Sequence, residues 1–442
     1  MSPLSEELRF RRLIHQTTDA DLSKRLDHER LTAYTGFDPT ADSLHVGHLL
    51  QLCNLRRLQE AGHRPIALAG GGTGMVGDPG GKADERALLD REALAANLAG
   101  IRVQLERFVD FPAGALLLDN GEWLWDLGLL EFLRDVGKHF TVNQMVAKES
   151  VRSRLEDREH GISFTEFSYM LLQAYDFLHL HDAWDCRLQL GGSDQWGNIT
   201  MGVDLIRRLR GAEAWGLTTP LVLKADGTKF GKSEAGTVWL DARRTSPYQL
   251  HQFFVRTEDA VVGAYLRYFT WLPPGRIEEL DSSVASRPEG REAQRVLARE
   301  VTALVHGEAE ADRAEVAAAA LFGGDLGALD EAMLADVFAG APSSALSRDR
   351  LAGGDGVGVG AGVGVGAGVG AGVGVGLVEL MVETGLEPSR SSALRTVAQG
   401  GAYLNNRREP DADRRLGLSD LLAGRFLVLR RGRRDHHLVR VE

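Results

Sequence analysis

Two spacings of apolar residues alternate through the first half of the chain. Short runs at Arg30–Thr35, Ile66–Ala69, Ala115–Leu118, Cys186–Leu190 and Thr219–Leu223 have the length and flanking residues of strands. Between them the apolar positions recur every three or four residues. Leu49, Leu52, Cys53 and Leu58 mark one side of a helix over Leu49–Glu60, and similar patterns cover residues 85–110, Trp123–Phe140 and Ser163–Leu180. Strand, helix, strand predicts an α/β fold with a parallel sheet, whose ligands bind outside the carboxyl ends of its strands. Residues 1–30 read as a helical lead-in, and residues 246–340 as a run of Ala-, Leu- and Glu-rich helices. Leu377–Glu442 then reads as helices at Leu377–Thr384 and Ser389–Gln399, with strands at Ala402–Asn405 and Arg425–Arg431.

The loops between these elements carry the candidate chemistry. His45 and His48 sit at a strand-to-helix junction, where unpaired N–H groups, the helix dipole and the bare backbone of Gly47 suit a phosphate. Zinc is a poor reading, because Cys53 and His63 lie at spacings that match no standard site. Gly72-x-Gly74-x-x-Gly77 follows a strand as a dinucleotide fingerprint should, but Asp78-Pro79-Gly80-Gly81 breaks the chain where its helix must run. A P-loop fails too, with Val76 for Gly and Ala83 for the magnesium-binding hydroxyl. Tyr169, Gln173 and Asp176, spaced by four and three, share one face of their helix. The loop Gly191–Asn198 faces the same crevice. Lys229 and Lys232 stand on a glycine-hinged loop as two movable charges able to close over phosphates.

His45-Val46-Gly47-His48 resembles the first signature of the class I aminoacyl-tRNA synthetases, and Lys229-Phe230-Gly231-Lys232-Ser233 resembles the second. Tyr34-Thr35-Gly36-Phe37-Asp38-Pro39-Thr40 looks specifically like the tyrosyl-tRNA synthetases of bacterial type. That resemblance implies a Rossmann-like parallel-sheet catalytic domain over 1–240 and a helical, anticodon-side domain over 241–340. A linker would follow over 341–376, then a small α+β RNA-binding domain over 377–442. It implies L-tyrosine, ATP with Mg²⁺ and tRNA(Tyr) as partners, no protein-bound metal, and a homodimer assembled through the region of Trp123–Phe140. By the same resemblance Thr40, His45, His48, Lys82, Arg86, Lys229 and Lys232 act on the phosphates. Tyr34 and Asp176 meet the tyrosine phenol, Asp78, Tyr169 and Gln173 its ammonium, and Gln195 its carbonyl. Gly36, Asp38, Gly47, Gly192, Asp194 and Lys232 hold the adenylate. Thr35 departs from the Cys common in the family, which alters a ribose contact without removing it. A non-catalytic RNA-binding paralogue is the alternative, opposed by the intact histidines and lysines.

Composition changes this picture in three places. Two cysteines and no signal peptide point to a reducing cytoplasm, without a membrane span. The formal charge of −11 argues against nucleic acid, yet from Leu377 onward 12 arginines stand against 9 acidic residues. Arg390, Arg395, Arg407, Arg408, Arg430, Arg431, Arg433 and Arg434 are the candidate RNA contacts there. Residues 356–376 alternate glycine with Val or Ala, 11 glycines in 21 positions, and read as a flexible low-complexity linker.

Overall fold

The computed structural model describes residues 3–77, 90–148, 151–152, 155, 161–228, 230–233, 236–321, 323–352, 374–433 and 435–442, without the side chains of 232 and 233. Asp78, Lys82, Arg86, Lys229, Arg434 and the Lys232 side chain therefore lie outside the described residues. The chain forms two compact units, Met1–Thr245 with Phe253–Val305, and Ser246–Gln252 with His306–Glu442.

The first unit is built on a six-stranded sheet in the order β1-β6-β5-β2-β3-β4. Its strands are β1 (Gln16–Thr17), β2 (Thr32–Phe37), β3 (Arg64–Ala69), β4 (Leu116–Asp119), β5 (Cys186–Gly192) and β6 (Trp215–Thr219). All neighbours from β2 to β6 run parallel, and β1 closes one edge antiparallel to β6. The chain steps outward from β2 to β3 and β4, then returns to β5 on the other side of β2. Strand order therefore reverses between β2 and β5, which is where such sheets bind ligands. The last predicted strand is displaced: it occupies Trp215–Thr219 rather than Thr219–Leu223, since Pro220 cannot continue the ladder. Gly216 hid it in the sequence, and is needed because a Cβ there would run into Ile199.

Predicted helices fall close to their places, at Leu49–Glu60, Arg91–Leu105 and Phe164–Trp184. The last starts in a reciprocal cap, with Ser163 Oγ accepting from Glu166 N and Glu166 Oε2 from Ser163 N, each at 3.2 Å. It packs with Trp196–Arg210 over one sheet face, burying Tyr34, Ile66, Phe177 and Met201 together. The stretch expected as one helix over Trp123–Phe140 is broken into Gly121–Leu124, Leu129–Asp135 and a 3₁₀ turn at Gly137–His139.

The helical domain expected over 241–340 is not a body of its own. Helices Asp259–Phe269 and Pro274–Ser286 belong to the first unit, where two buried arginines receive them. Arg11 donates to the carbonyls of Arg267, Thr270 and Leu272 at 2.7–3.1 Å, and Arg57 donates to Thr270 O at 3.1 Å. Both thus satisfy carbonyls at a helix C-terminus.

Helices Glu308–Ala320 and Glu331–Val337 belong to the second unit, and its sheet gives the reason. That sheet has the order β12-β11-β14-β15-β9, from β9 (Ser343–Leu346), β11 (Ala402–Leu404), β12 (Arg407–Arg408), β14 (Phe426–Arg431) and β15 (Asp435–Val441). Along β14 and β15, Leu427, Leu429, Val439 and Val441 join helices Leu377–Glu383 and Arg390–Ala398 in one core. Phe426, Val428 and Leu438 point the other way, onto Leu326, Leu334 and Phe338. A strand apolar on both faces needs two covers, and the 306–340 segment supplies the second.

The expected linker over 341–376 is also revised. It begins with β9, paired parallel to β15, and ends with β10 (Val375–Gly376), paired to β13 (Arg415–Leu416). Leu346, Leu351 and Val375 share one core, so both flanks of 353–373 are anchored in the same fold. Among the described residues no helix is long and apolar enough to cross a membrane.

Candidate active site

The carboxyl ends of β2 and β5 bring together most of the described candidates. After β2 the chain turns through Asp38 and the exposed Thr40 into a 3₁₀ turn, Val46–His48, that leads into Leu49–Glu60. The histidine rings lie 4.0 Å apart and bind the backbone reciprocally. Gly47 N–H donates to His45 Nδ1 at 3.0 Å, and His45 N–H donates to His48 Nδ1 at 3.3 Å. Each Nδ1 is thereby an acceptor, so in the neutral ring each Nε2 carries the proton and is a donor. A two-residue spacer is what lets the pair close in this way. A Cβ on Gly47 would lie 2.7 Å from His45 Cε1, so only glycine permits the closure.

The lysine loop meets this junction directly. A Cβ on Gly231, whose φ is +108°, would sit 3.4 Å from Gly47 N. Val46 N donates to Val238 O at 3.0 Å, just past the hairpin of β7 (Lys232–Ser233) and β8 (Gly236–Thr237). Phe230, between the two lysines, is buried among Phe253, Phe254, Tyr265 and Phe269 with ring centroids 4.9–6.0 Å away. The two signature motifs, far apart in sequence, are therefore adjacent in space.

On the face covered by Phe164–Trp184 lies an apolar floor with two polar groups. Tyr34 is buried against Phe177, with 5.3 Å between ring centroids, and its hydroxyl has no partner among the described residues. Burial and the neighbouring Asp176 carboxylate push its pKa well above the ordinary range, so the hydroxyl keeps its proton. Asp176 accepts from Asn120 Nδ2 and Trp123 Nε1, both at 2.8 Å. Burial pushes its pKa up to about 7 even so, with Asp38 and Asp119 adding to the rise. Asn120 also receives Gly72 N–H at 2.8 Å and donates to Thr73 at 2.9 Å, which ties the glycine loop to this carboxylate.

Tyr169 donates to Asp38 Oδ1 at 3.4 Å, and Gln173, Gln195 and Asn198 form a hydrogen-bonded triangle at 2.9–3.2 Å. Gly192 and Asp194 lie at the end of β5, and the exposed Gly36 at the end of β2 would meet nothing within 4 Å if it carried a Cβ. Thr35 is buried on β2 with its hydroxyl unpartnered among the described residues.

Three polar residues of this site had no place in the sequence reading. Asn120 and Trp123 follow the strand at Leu116–Asp119 directly, so the carboxyl-end rule could have singled them out. Gln189 was visible as an amide between Leu188 and Leu190; it pairs with Tyr34 in register and is buried with Oε1 unpartnered among the described residues.

In the second unit Arg390, Arg395, Arg407, Arg408 and Arg433 are exposed. Arg430 is instead buried, its guanidinium 3.8 Å from the centre of the Tyr403 ring, and Arg431 is paired with Asp435 at 2.7 Å.

With this geometry in hand, comparison assigns the class: the chain belongs to the tRNA synthetases class I (W and Y), whose sequence model matches residues 26–323. The relatives are more particular. The chain is 54% identical over 444 residues to the tyrosine–tRNA ligase of Roseiflexus castenholzii, covering all of both chains, and 50% identical to that of Geobacillus stearothermophilus, covering 99% of each. A tyrosine–tRNA ligase SYY-like C-terminal domain matches residues 370–439. Among solved structures, a C-terminally truncated mitochondrial tyrosyl-tRNA synthetase of Coccidioides posadasii superposes with a TM-score of 0.62 at 32% identity, over 71% of this chain and 91% of that one. The tyrosyl-tRNA synthetase of Archaeoglobus fulgidus, solved with L-tyrosine, shares the fold at 19% identity and a TM-score of 0.53, over 70% and 99% of the two chains.

Proposed function

We propose that the chain is a tyrosine–tRNA ligase. A tyrosine carboxylate oxygen attacks the α-phosphorus of ATP, the bond to the bridging oxygen breaks and pyrophosphate leaves. A ribose hydroxyl at the 3′ end of tRNA(Tyr) then attacks the activated carbonyl, and AMP leaves. Neither step needs a covalent enzyme intermediate, so the side chains act by positioning and by stabilising charge. The observation that carries the reading is the buried Asp176 beside the unpartnered Tyr34 hydroxyl, at the strand-order reversal and next to the paired histidines. Two polar groups in an apolar floor fit a phenol hydroxyl, and leave a partner unsatisfied when phenylalanine binds.

In this reading Asp78, Tyr169 and Gln173 hold the ammonium and Gln195 the carboxylate. The Nε2–H groups of His45 and His48, with Thr40, Lys82, Arg86, Lys229 and Lys232, meet the charge that builds on the phosphates. Gly36, Gly47 and Gly192 let the adenylate lie on bare backbone near Asp38 and Asp194. Mg²⁺ arrives on ATP, held by its phosphate oxygens. The exposed arginines of the C-terminal unit serve tRNA. A second copy of the chain covers the exposed Leu129, Leu130, Val142 and Phe164, and the enzyme works in the cytoplasm. No observation favours the non-catalytic alternative.

Tyrosine-dependent exchange of pyrophosphate into ATP tests the proposal, with tryptophan and phenylalanine as controls. Exchange driven by tyrosine is expected; exchange driven by tryptophan alone would reassign the amino acid, and none at all would remove catalysis.

A further inference from the structure

Asp176 is held by an indole that has a second neighbour. Trp123 gives its Nε1–H to Asp176 at 2.8 Å, and its ring lies flat on the imidazole of His179, with centroids 4.3 Å apart and planes 19° apart. Asp176 and His179 are three residues apart on the Phe164–Trp184 helix, so they are neighbours on its surface. One indole can meet both only when its N–H points to the carboxylate while its plane lies along the imidazole. Trp184 packs beside the pair at a tilt, its ring centre 6.4 Å from Trp123 and 5.8 Å from His179. The helix that carries Trp123, Gly121–Leu124, is a single turn and too short to hold its side chains without outside contacts.

We propose that His179 is a positioning residue for amino-acid selection: its ring fixes the plane of Trp123, and Trp123 fixes the carboxylate of Asp176 that meets the phenol. The proposal rests on the reading of Asp176 given above. Burial holds the His179 imidazole below its ordinary pKa, so at neutral pH the ring is uncharged and the contact is one between flat aromatic faces. A residue of similar size without a flat ring lets the indole turn, and Asp176 then loses a donor inside an apolar floor. A flat hydrocarbon ring keeps the stack.

The test compares His179→Leu with His179→Phe in pyrophosphate exchange, measuring KM for tyrosine and for ATP and the ratio of tyrosine to phenylalanine in kcat/KM. His179→Leu is expected to raise KM for tyrosine on the order of fivefold and to narrow the ratio by a similar factor, with KM for ATP unchanged. His179→Phe should bring both within about twofold of the parent. Equal effects of Leu and Phe, or a His179→Leu enzyme with unchanged selection, would overturn the proposal. Asp176→Asn is measured in parallel. If it destroys selection while His179→Leu does not, the positioning role alone fails; if Asp176→Asn leaves selection intact, the reading of Asp176 fails first.

Discussion

A carboxyl group with a pKa of about 7 in a closed floor makes the site sensitive to pH near neutrality. In the proposed site the phenol of tyrosine donates best to ionised Asp176, so tyrosine affinity should rise from about pH 6 to about pH 8 and then level, approaching tenfold per unit at the acidic end. Phenylalanine, with nothing to donate, should bind with no such slope. Titrations of both ligands by intrinsic fluorescence across that range check this. Stability moves the opposite way. The folded pKa is raised above an unfolded value of about 4, so this group favours the fold most below about 4, and that contribution is lost as pH rises towards about 7. Asp176→Asn should therefore gain stability relative to the parent as pH climbs through that window, which denaturant melts at pH 5 and pH 8 would show. At this scale the sequence was most legible where a motif carried the residue. His45, His48 and Tyr34 were named from a motif, and Asp176 from its helical spacing and the family resemblance. Asn120 and Trp123 were open only to the carboxyl-end rule, and His179 to no local signal, because their contacts are made across the fold.

Among the elements, periodicity found the helices and most strands to within a few residues, and failed where tertiary packing overrode local preference. The strand expected at Thr219–Leu223 lies instead at Trp215–Thr219, where a passing helix demands Gly216, a residue that weakens a strand pattern. Arg11 and Arg57, which the sequence pattern did not single out, are both 3% exposed. Arg57 also lies 4.5 Å from the Trp271 ring centre, and burial lowers its pKa to about 10. Its guanidinium is thus held by a carbonyl and an aromatic face, a geometry that an ammonium cannot reproduce. Arg57→Ala should cost about 2–3 kcal/mol of stability in urea unfolding, and Arg57→Lys should recover little of it. A loss below about 0.5 kcal/mol would mean that the segment Asp259–Phe269 docks without this contact.

At the level of the whole molecule, the parallel sheet and its ligand edge were readable from alternating strands and helices, whereas the division into units was not. A run such as Phe426-Leu427-Val428-Leu429 announces a strand covered on both sides, but nothing local says which distant helices provide the second cover. The exposed apolar residues between 125 and 164 are a further case, since surface and core compositions look alike until burial is known. Leu130 is 81% exposed and Leu129 70%. Leucines in that state call for a partner. On the proposal that a second copy covers them, the parent chain should sediment as a dimer and Leu130→Asp as a monomer with a thermal melt within a few degrees, and a parent that sediments as a monomer would remove the proposal.

The parallel pairing of β9 with β15 has a consequence for chain continuity. The two strands lie on opposite sides of the glycine–valine run in sequence, yet they are hydrogen-bonded neighbours in one sheet, with Leu346, Leu351 and Val375 in the core beside them. The covalent link through 353–373 is thus not what joins the two pieces. A single proteolytic nick engineered into that run should yield two fragments that co-elute under native conditions and separate only in denaturant. Expressed as separate polypeptides, the pieces ending near residue 352 and beginning near residue 374 should reassemble and regain tRNA charging, as the halves of a split reporter do.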